Sequence, residues 1–425
     1  MVEPALEDVS AAVPPPLLEV NDLRTYFHTE EGELRAVDGV SFQLARGRTL
    51  ALVGESGCGK SVTAQSVLRL IHPPGKIVGG SIRLHRNDGE PPLEVLEERE
   101  NSNALYELRG GRAALIFQEA TAALSPVHTI GNQIQEAIRL HQKISKKGAQ
   151  RLALEMLERV GIKDPELCSR QYPHELSGGM RQRAVIAMAL VGNPELLIAD
   201  EPTTALDVTI QAQVLLLLKQ LQKTLNLAIL LITHDLGVVA QMADEVVVMY
   251  LGRVVESGSV RAILKKPRHP YTMGLLASLP SLTPIGQRLP SIPGSVPALT
   301  DLPSGCPFHP RCGYAVVGRC NVGAPPPLEA LPEQRLVACW RTREVALERL
   351  LQRSGEPPTS GRSEARAPES PAAALAEAGV PTASSAGALR AAELLAENRT
   401  EAKWFDGQDP ESNREPAGSA LKEPE

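Results

Sequence analysis

The stretch Gly54-Glu55-Ser56-Gly57-Cys58-Gly59-Lys60-Ser61 spends three of its eight positions on glycine. Glycine brings no side chain to bury and costs conformational entropy. The stretch therefore makes sense where backbone must wrap closely around a ligand. Its pattern is G-x-x-x-x-G-K-S, in which successive backbone N–H groups point inward at phosphate oxygens. Lys60 is placed to reach the β- and γ-phosphates, and Ser61 to bind Mg2+. Such a loop needs a further carboxylate for the metal, and "LLIADEP" supplies it where an apolar run ends. Asp200 is expected to hold Mg2+ through its shell. Glu201 then faces the γ-phosphate and polarises a water as general base. Cys58 lies beside Lys60 and the start of the next helical pattern, both of which favour thiolate, so a reactive thiol is expected there.

These groups need a scaffold. The runs "TLALVG", "AALIFQ", "ELLIAD", "AILLIT" and "EVVVMY" are short and rich in branched apolar residues. Continuous runs of this kind fit strands buried on both faces, as in a parallel sheet covered by helices. Their helix-separated recurrence predicts an α/β fold over residues 17–258. The glycine-rich loop follows the first run and precedes the helical pattern "SVTAQSVLRLI", whose N-terminus adds partial positive charge. Residues 119–175 hold few strand-like runs and read as mainly helical. Residues 259–345 are rich in proline and carry four of the six cysteines. Residues 1–16 read as a flexible leader. From residue 352 onward the chain is Ala, Pro, Ser and Glu, apart from a short helical pattern, "GALRAAELLAE". It lacks the large apolar groups to offset ordering entropy and reads as disordered.

At 425 residues the chain is too long for one typical domain. Its formal net charge is −6, most of it in the tail from residue 352. The near-neutral remainder argues against a broad nucleic-acid footprint. No apolar run approaches the roughly 18–20 residues that span a bilayer. The acidic, proline-rich N-terminus is unlike a signal peptide. The expected place is the cytoplasm, or a membrane surface reached through partners. In that setting six cysteines argue against a disulfide framework.

Leu176-Ser177-Gly178-Gly179-Met180 opens another helical run, "MRQRAVIAMALV". This is a second phosphate-ready helix start, with Ser177 as N-cap. Alongside the two stretches above, "ELSGGMRQR" resembles the signature of ATP-binding-cassette (ABC) ATPases. The resemblance implies a P-loop cassette with a RecA-like parallel-sheet core, a helical subdomain, and ATP and Mg2+ as cofactors. It implies that Leu176–Met180 bind the γ-phosphate of ATP held on the opposite subunit, so that one chain cannot complete a site. Further motifs match in order. Gln118 resembles the glutamine that senses Mg2+ and the attacking water, Asp207 in "TTALD" the D-loop aspartate, and His234 in "LLITHD" the switch histidine. Phe27 in "DLRTYF" resembles the adenine-stacking residue, with Tyr26 close behind.

"PRHPYTMGLLASLPS" and the cysteine-rich stretch after it resemble the C-terminal extension of ATP-binding subunits of dipeptide and oligopeptide importers, with nickel importers as relatives. Locally, Arg268-His269-Pro270-Tyr271 reads as a turn that starts a helix. "FQEATAALSPV" departs from the family pattern at Ala120–Thr121 and Ser125–Pro126, near the implied contact with a membrane subunit. Cys306, Cys312, Cys320 and Cys339 contain no C-x-x-C pair; spacing alone leaves metal binding and buried thiols both open. The resemblance implies a [4Fe–4S] cluster on these four, with a Cys3His zinc site using His309 as the alternative. The thiols are remote in sequence from every ATP motif, so nucleotide affinity is expected to be insensitive to them. The implied function is ATP hydrolysis that energises import of di- or oligopeptides. The implied partners are a second cassette subunit, two membrane permease subunits and an extracytoplasmic peptide-binding protein, with no nucleic acid. The implied place is the cytoplasmic face of the inner membrane. A nickel or other small-solute importer is the near alternative, and a soluble non-transport ABC ATPase the distant one.

Overall fold

A computed structural model of the chain describes residues 16–86, 90–204, 206–278 and 291–346, without the side chains of residues 120 and 121. The leader up to residue 15 and the whole tail from residue 352, with its helical pattern, lie outside the described residues.

Strands β1 (Leu18–Thr29) and β2 (Gly32–Leu44) pair antiparallel, and β3 (Thr49–Val53) leads through the glycine-rich loop into helix α1 (Lys60–Val67). β4 (Gly75–Leu84) and β5 (Leu93–Glu94) return to the first pair, giving a four-stranded sheet of order β2-β1-β4-β5. After α2 (Asn103–Leu108) and β6 (Ala113–Ile116) come α3 (Ala120–Ala123), α4 (Ile130–His141), α5 (Lys146–Arg159), α6 (Pro165–Arg170) and α7 (Gly178–Leu190). In α4, Ile130, Ile134 and Ile138 recur every fourth position and all face inward, which is the helical stripe a covering layer needs. Thr129 and Ser145 cap α4 and α5, accepting from the N–H groups of Asn132 and Gly148.

The chain continues through β7 (Leu196–Asp200), α8 (Val208–Leu225), β8 (Ala228–Thr233), α9 (Leu236–Met242) and β9 (Glu245–Tyr250). Then follow β10 (Arg253–Ser259), α10 (Val260–Lys265), α11 (Pro270–Ala277), β11 (Glu329–Leu331) and β12 (Arg335–Val337). The larger sheet has the order β11-β12-β10-β9-β3-β8-β7-β6, and the five strands from β9 to β6 run parallel. Every residue of β3, β7 and β8 is buried. Each fully buried Leu or Ile contributes about 1.5–3 kcal/mol relative to exposure, so these runs hold the sheet at the centre.

Register then decides where chemistry can occur. Ile116 pairs with Ala199, Asp200 with Ile232 and Val53 with Thr233. The carboxyl ends of β6, β7, β8 and β3 therefore come to one edge, where open parallel sheets bind ligands. The segment after β10 is built onto the sheet: β12 pairs with β10 through Glu256↔Val337. Tyr271 and Phe308 share a core with Val53, Val246, Val248 and Tyr250.

Candidate nucleotide site

The glycine-rich loop leaves β3 and turns at Gly57 (φ 78°) and Gly59 (φ 98°), both in the left-handed region. A Cβ on Gly59 would stand 2.1 Å from the Ala36 carbonyl oxygen, so no other residue fits there. Gly59 is also the N-cap of α1 and offers no side chain to its free N–H groups; no acid occupies the first turn. The helix start is thus left open for an anion. The Lys60 ammonium is buried and donates back to the carbonyls of Gly54 (2.9 Å) and Glu55 (3.0 Å).

Asp200 ends β7 with 7 % of its surface exposed, and its Oδ1 has no hydrogen-bond partner. The Ser61 hydroxyl bonds the same carboxylate, yet burial prevails and pushes the Asp200 pKa up. A buried acid with an unpaired oxygen beside a serine hydroxyl fits a divalent cation, which would offset that desolvation. Mg2+ typically takes one or two carboxylates and completes its shell with water and phosphate oxygens.

Glu201 follows at φ 46°, a left-handed conformation that a non-glycine residue adopts only at a cost. Its N–H donates to the Ile232 carbonyl, which fixes the turn (2.9 Å). Three neighbours hold the carboxylate: Gln118 Nε2 at 3.3 Å, Thr204 Oγ1 at 2.8 Å and His234 Nδ1 at 3.1 Å. Burial alone would raise its pKa, but the bonds to His234 and Thr204, with the His234 and Lys60 charges, lower it below the ordinary value. A carboxylate kept ionised at a cleft edge can accept a proton from water. No sequence signal marks Thr204, because a hydroxyl three residues after an acid is common in turns.

Two adjoining clefts of about 770 and 330 Å3 share Ser56, Gln118 and Glu201. The smaller is lined by Phe27, Gly57, Gly59, Lys60 and Ser61, and by Leu299 from beyond α11. The larger runs past Gly54, Glu55, Thr204 and His234 to Ile292 and Arg311. Tyr26 is engaged elsewhere, donating its hydroxyl to Asp38 Oδ1 at 2.8 Å.

Leu176–Met180 line neither cleft. Ser177 caps α7 through the Met180 N–H (3.4 Å), Leu176 is buried, and Gly178 and Gly179 lie against Leu206 and Ile210. Asp207 caps α8 through the Ile210 N–H at 2.9 Å and is otherwise exposed.

Three expectations change. Cys58 is only 2 % exposed, and burial outweighs the neighbouring Lys60, pushing the thiol up rather than down; it is a packed thiol, not a reactive one. Glu55 turns its carboxylate to Arg311 and gives its N–H to the Tyr271 hydroxyl, leaving Ser56, Gly57, Gly59, Lys60 and Ser61 to line the smaller cleft. The cysteine-rich segment is not remote from this loop, because Arg311 adjoins Cys312 in the chain.

Cys306, Cys312, Cys320 and Cys339 line one small cavity with His309, Phe308 and Trp340. All four are free thiols. Burial pushes Cys306 up to about 11 and Cys312 up to about 12, and raises Cys339. Among the described residues no group of three or more His, Cys, Asp or Glu is drawn close enough to hold a single metal ion. The Cys3His zinc alternative finds no such group either; the His309 Nδ1 lies 3.0 Å from the Cys306 carbonyl, a contact that orients the ring.

Residues 37–204 match the family described as ABC transporter, and residues 255–320 the one described as oligopeptide/dipeptide transporter, C-terminal region. The oligopeptide transport ATP-binding protein OppD of Bacillus subtilis is 51% identical over 326 residues, spanning 76% of this chain and 88% of that protein. AppD of the same organism, also an oligopeptide transport ATP-binding protein, is 49% identical over 333 residues, 78% of this chain and 98% of that one. Its dipeptide transport ATP-binding protein DppD is 50% identical over 302 residues, 71% and 88%. The dimeric ATP-binding cassette MJ0796 in a post-hydrolysis state, bound to ADP and Pi, matches with a TM-score of 0.50 at 23% identity, over 57% of this chain and 99% of that one. At that identity the likeness is one of fold.

Proposed function

The chain belongs to the ATP-binding subunits of the oligopeptide and dipeptide ABC transporters, and on that premise we propose that it hydrolyses ATP to drive peptide import. The observation that carries the reading is the Glu201 carboxylate, held by Gln118, Thr204 and His234 beside a glycine-rich loop. The N–H groups of residues 56 to 61 cradle the phosphates. Lys60 leaves the carbonyls it now holds and neutralises the β- and γ-oxygens. Ser61, Asp200 and Gln118 would hold Mg2+, which would supply positive charge to offset the charge developing on the phosphates. Phe27 stacks on the base. Glu201 takes the proton of the attacking water, and His234 orients that carboxylate and faces the γ-phosphate.

Leu176–Met180 and Asp207 serve the site of a second cassette subunit, a reading supported by their position outside both clefts. Two permease subunits would receive the motion of the closing pair, and an external binding protein would deliver peptide. No described helix is long and apolar enough to cross a membrane, so the chain would sit at the inner membrane's cytoplasmic face through those permeases. Cys306, Cys312, Cys320 and Cys339 would hold a [4Fe–4S] cluster. Such a cube would spread its thiolates more widely than one ion does, and iron would deprotonate the thiols, of which burial otherwise keeps Cys306, Cys312 and Cys339 neutral.

The test is uptake into vesicles holding this chain, its partner cassette and the two permeases. MgATP-dependent entry of a labelled peptide is the expected result. Entry of nickel without peptide would overturn the cargo assignment.

A further inference from the structure

The second residue of the glycine-rich loop is gripped from far along the chain. Arg311, whose side chain is 4 % exposed, sets its guanidinium against the Glu55 carboxylate in a two-pronged pair at 2.6 and 2.9 Å. Its Nε donates to the Pro293 carbonyl at 3.1 Å, and its charge lies 5.9 Å from the Tyr250 ring centre. Tyr271 is fully buried between Tyr250 and Phe308, with ring centroids 4.7 and 5.3 Å away. Its hydroxyl accepts the Glu55 N–H at 2.8 Å. Residue 55 is thus held by side chain and backbone, from partners 256 and 216 positions later. His269 accepts from the Tyr271 N–H at 3.1 Å, and the wholly buried Glu256 accepts from the N–H groups of Arg268 (2.8 Å) and His269 (2.9 Å). The turn that carries Tyr271 is therefore itself fixed to β10.

Phosphate binding gives no reason for an acid at position 55, since a carboxylate near phosphates repels them. Paired with Arg311, that carboxylate is neutralised and turned away. We propose that Arg311 and Tyr271 are positioning residues for nucleotide binding. They clamp Glu55, keep the remaining N–H groups of the loop aimed into the cleft, and make the cysteine-lined segment part of the loop's support. This rests on the reading of the cleft as an ATP site. A forked guanidinium–carboxylate pair fixes direction as well as distance, which a lysine cannot do.

The experiment measures affinity for a fluorescent ATP analogue and steady-state hydrolysis in the full chain. The variants are Arg311→Met, Arg311→Lys, Tyr271→Phe, Glu55→Gln and Arg311→Met with Glu55→Gln. Losing one charged or backbone-anchoring bond should weaken nucleotide binding roughly tenfold in Arg311→Met and several-fold in Tyr271→Phe. The loss should fall on KM more than on kcat. Arg311→Lys should lie between wild type and Arg311→Met. The double variant should recover part of the loss, because no unpaired carboxylate is left near the phosphates. Tyr271→Phe keeps the ring among its aromatic neighbours, so it tests the hydroxyl without emptying the core. Arg311→Met and Tyr271→Phe that bind within about twofold of wild type, even with a lowered Tm, would overturn the clamp. A wild-type chain that binds no MgATP would instead overturn the reading of the cleft.

Discussion

Replacing Glu201 with Gln removes the base and little else. An amide oxygen in the place of Oε2 still accepts from Thr204 Oγ1 and Gln118 Nε2, now at 2.8 and 3.3 Å. The amide nitrogen can face His234 Nδ1, where Oε1 now lies at 3.1 Å. The left-handed turn is anchored by backbone, so it survives. What disappears is proton acceptance, which contributes about 10²–10⁴-fold, or roughly 2.7–5.4 kcal/mol at 1.36 kcal/mol per decade. Turnover should fall by a factor in that range while MgATP affinity stays near wild type. The pH dependence has a definite sign. His234 and Thr204 outweigh burial and hold the Glu201 carboxyl below its ordinary value. The base is therefore ionised throughout the neutral range, and wild-type activity lost by protonating it should disappear only in acid, below the usual carboxylate range. The variant's residual activity should lack that acid limb. Phosphate release across a pH series, paired with nucleotide binding at each point, makes the measurement. Turnover within a few-fold of wild type, or a fall matched by an equal loss of binding, would refute the assignment.

Cys58 should resist maleimide in the native chain and react once the chain is unfolded, since burial raises its pKa; rapid native labelling would contradict this. Burial pulls the His269 imidazole from 6.5 down to about 3, so the folded chain keeps it neutral beside Glu256. Its stability contribution is full above about 6.5 and is lost as pH falls from there toward 3. Urea midpoints for wild type and His269→Gln should converge across that window, and parallel curves would count against it. Protein purified without oxygen should be brown and carry about four irons per chain, and serine at any one of Cys306, Cys312, Cys320 or Cys339 should bleach it. Colourless, iron-free protein would return these residues to plain, half-buried thiols.

The five parallel strands were legible because each is buried on both faces, so "TLALV" or "AILLIT" has no polar alternation to mistake. The antiparallel sheet of β1, β2, β4 and β5 was not, because its β4 run "GKIVGGSIRL" mixes glycine and charge. The glycine-rich loop, Asp200 and Glu201 could be read because phosphate and metal chemistry fix residue types at short spacings. The thiol state of Cys58 could not: the same Lys60 that favours thiolate lies beside it, and only packing reveals that burial wins. The Arg311–Glu55 pair had no sequence signal at all. Contacts over such separations are set by how β12 and α11 dock on the sheet, not by any local pattern.

The larger sheet ends at both sides in very short strands, four residues in β6 and three in β11. The chain enters β6 through a tight turn, with Gly110 donating to the Ala113 carbonyl at 2.7 Å. β11 follows Pro325-Pro326-Pro327, precedes Pro332 and begins with an exposed Glu329. Charge, proline and brevity are the means by which proteins stop a foreign strand from adding to a sheet. This sheet therefore offers no rail for a second copy or a misfolded neighbour to extend. On the proposed reading, a second cassette would then have to associate through surfaces other than these edges, and could dock and leave without either subunit unzipping a ladder of backbone bonds.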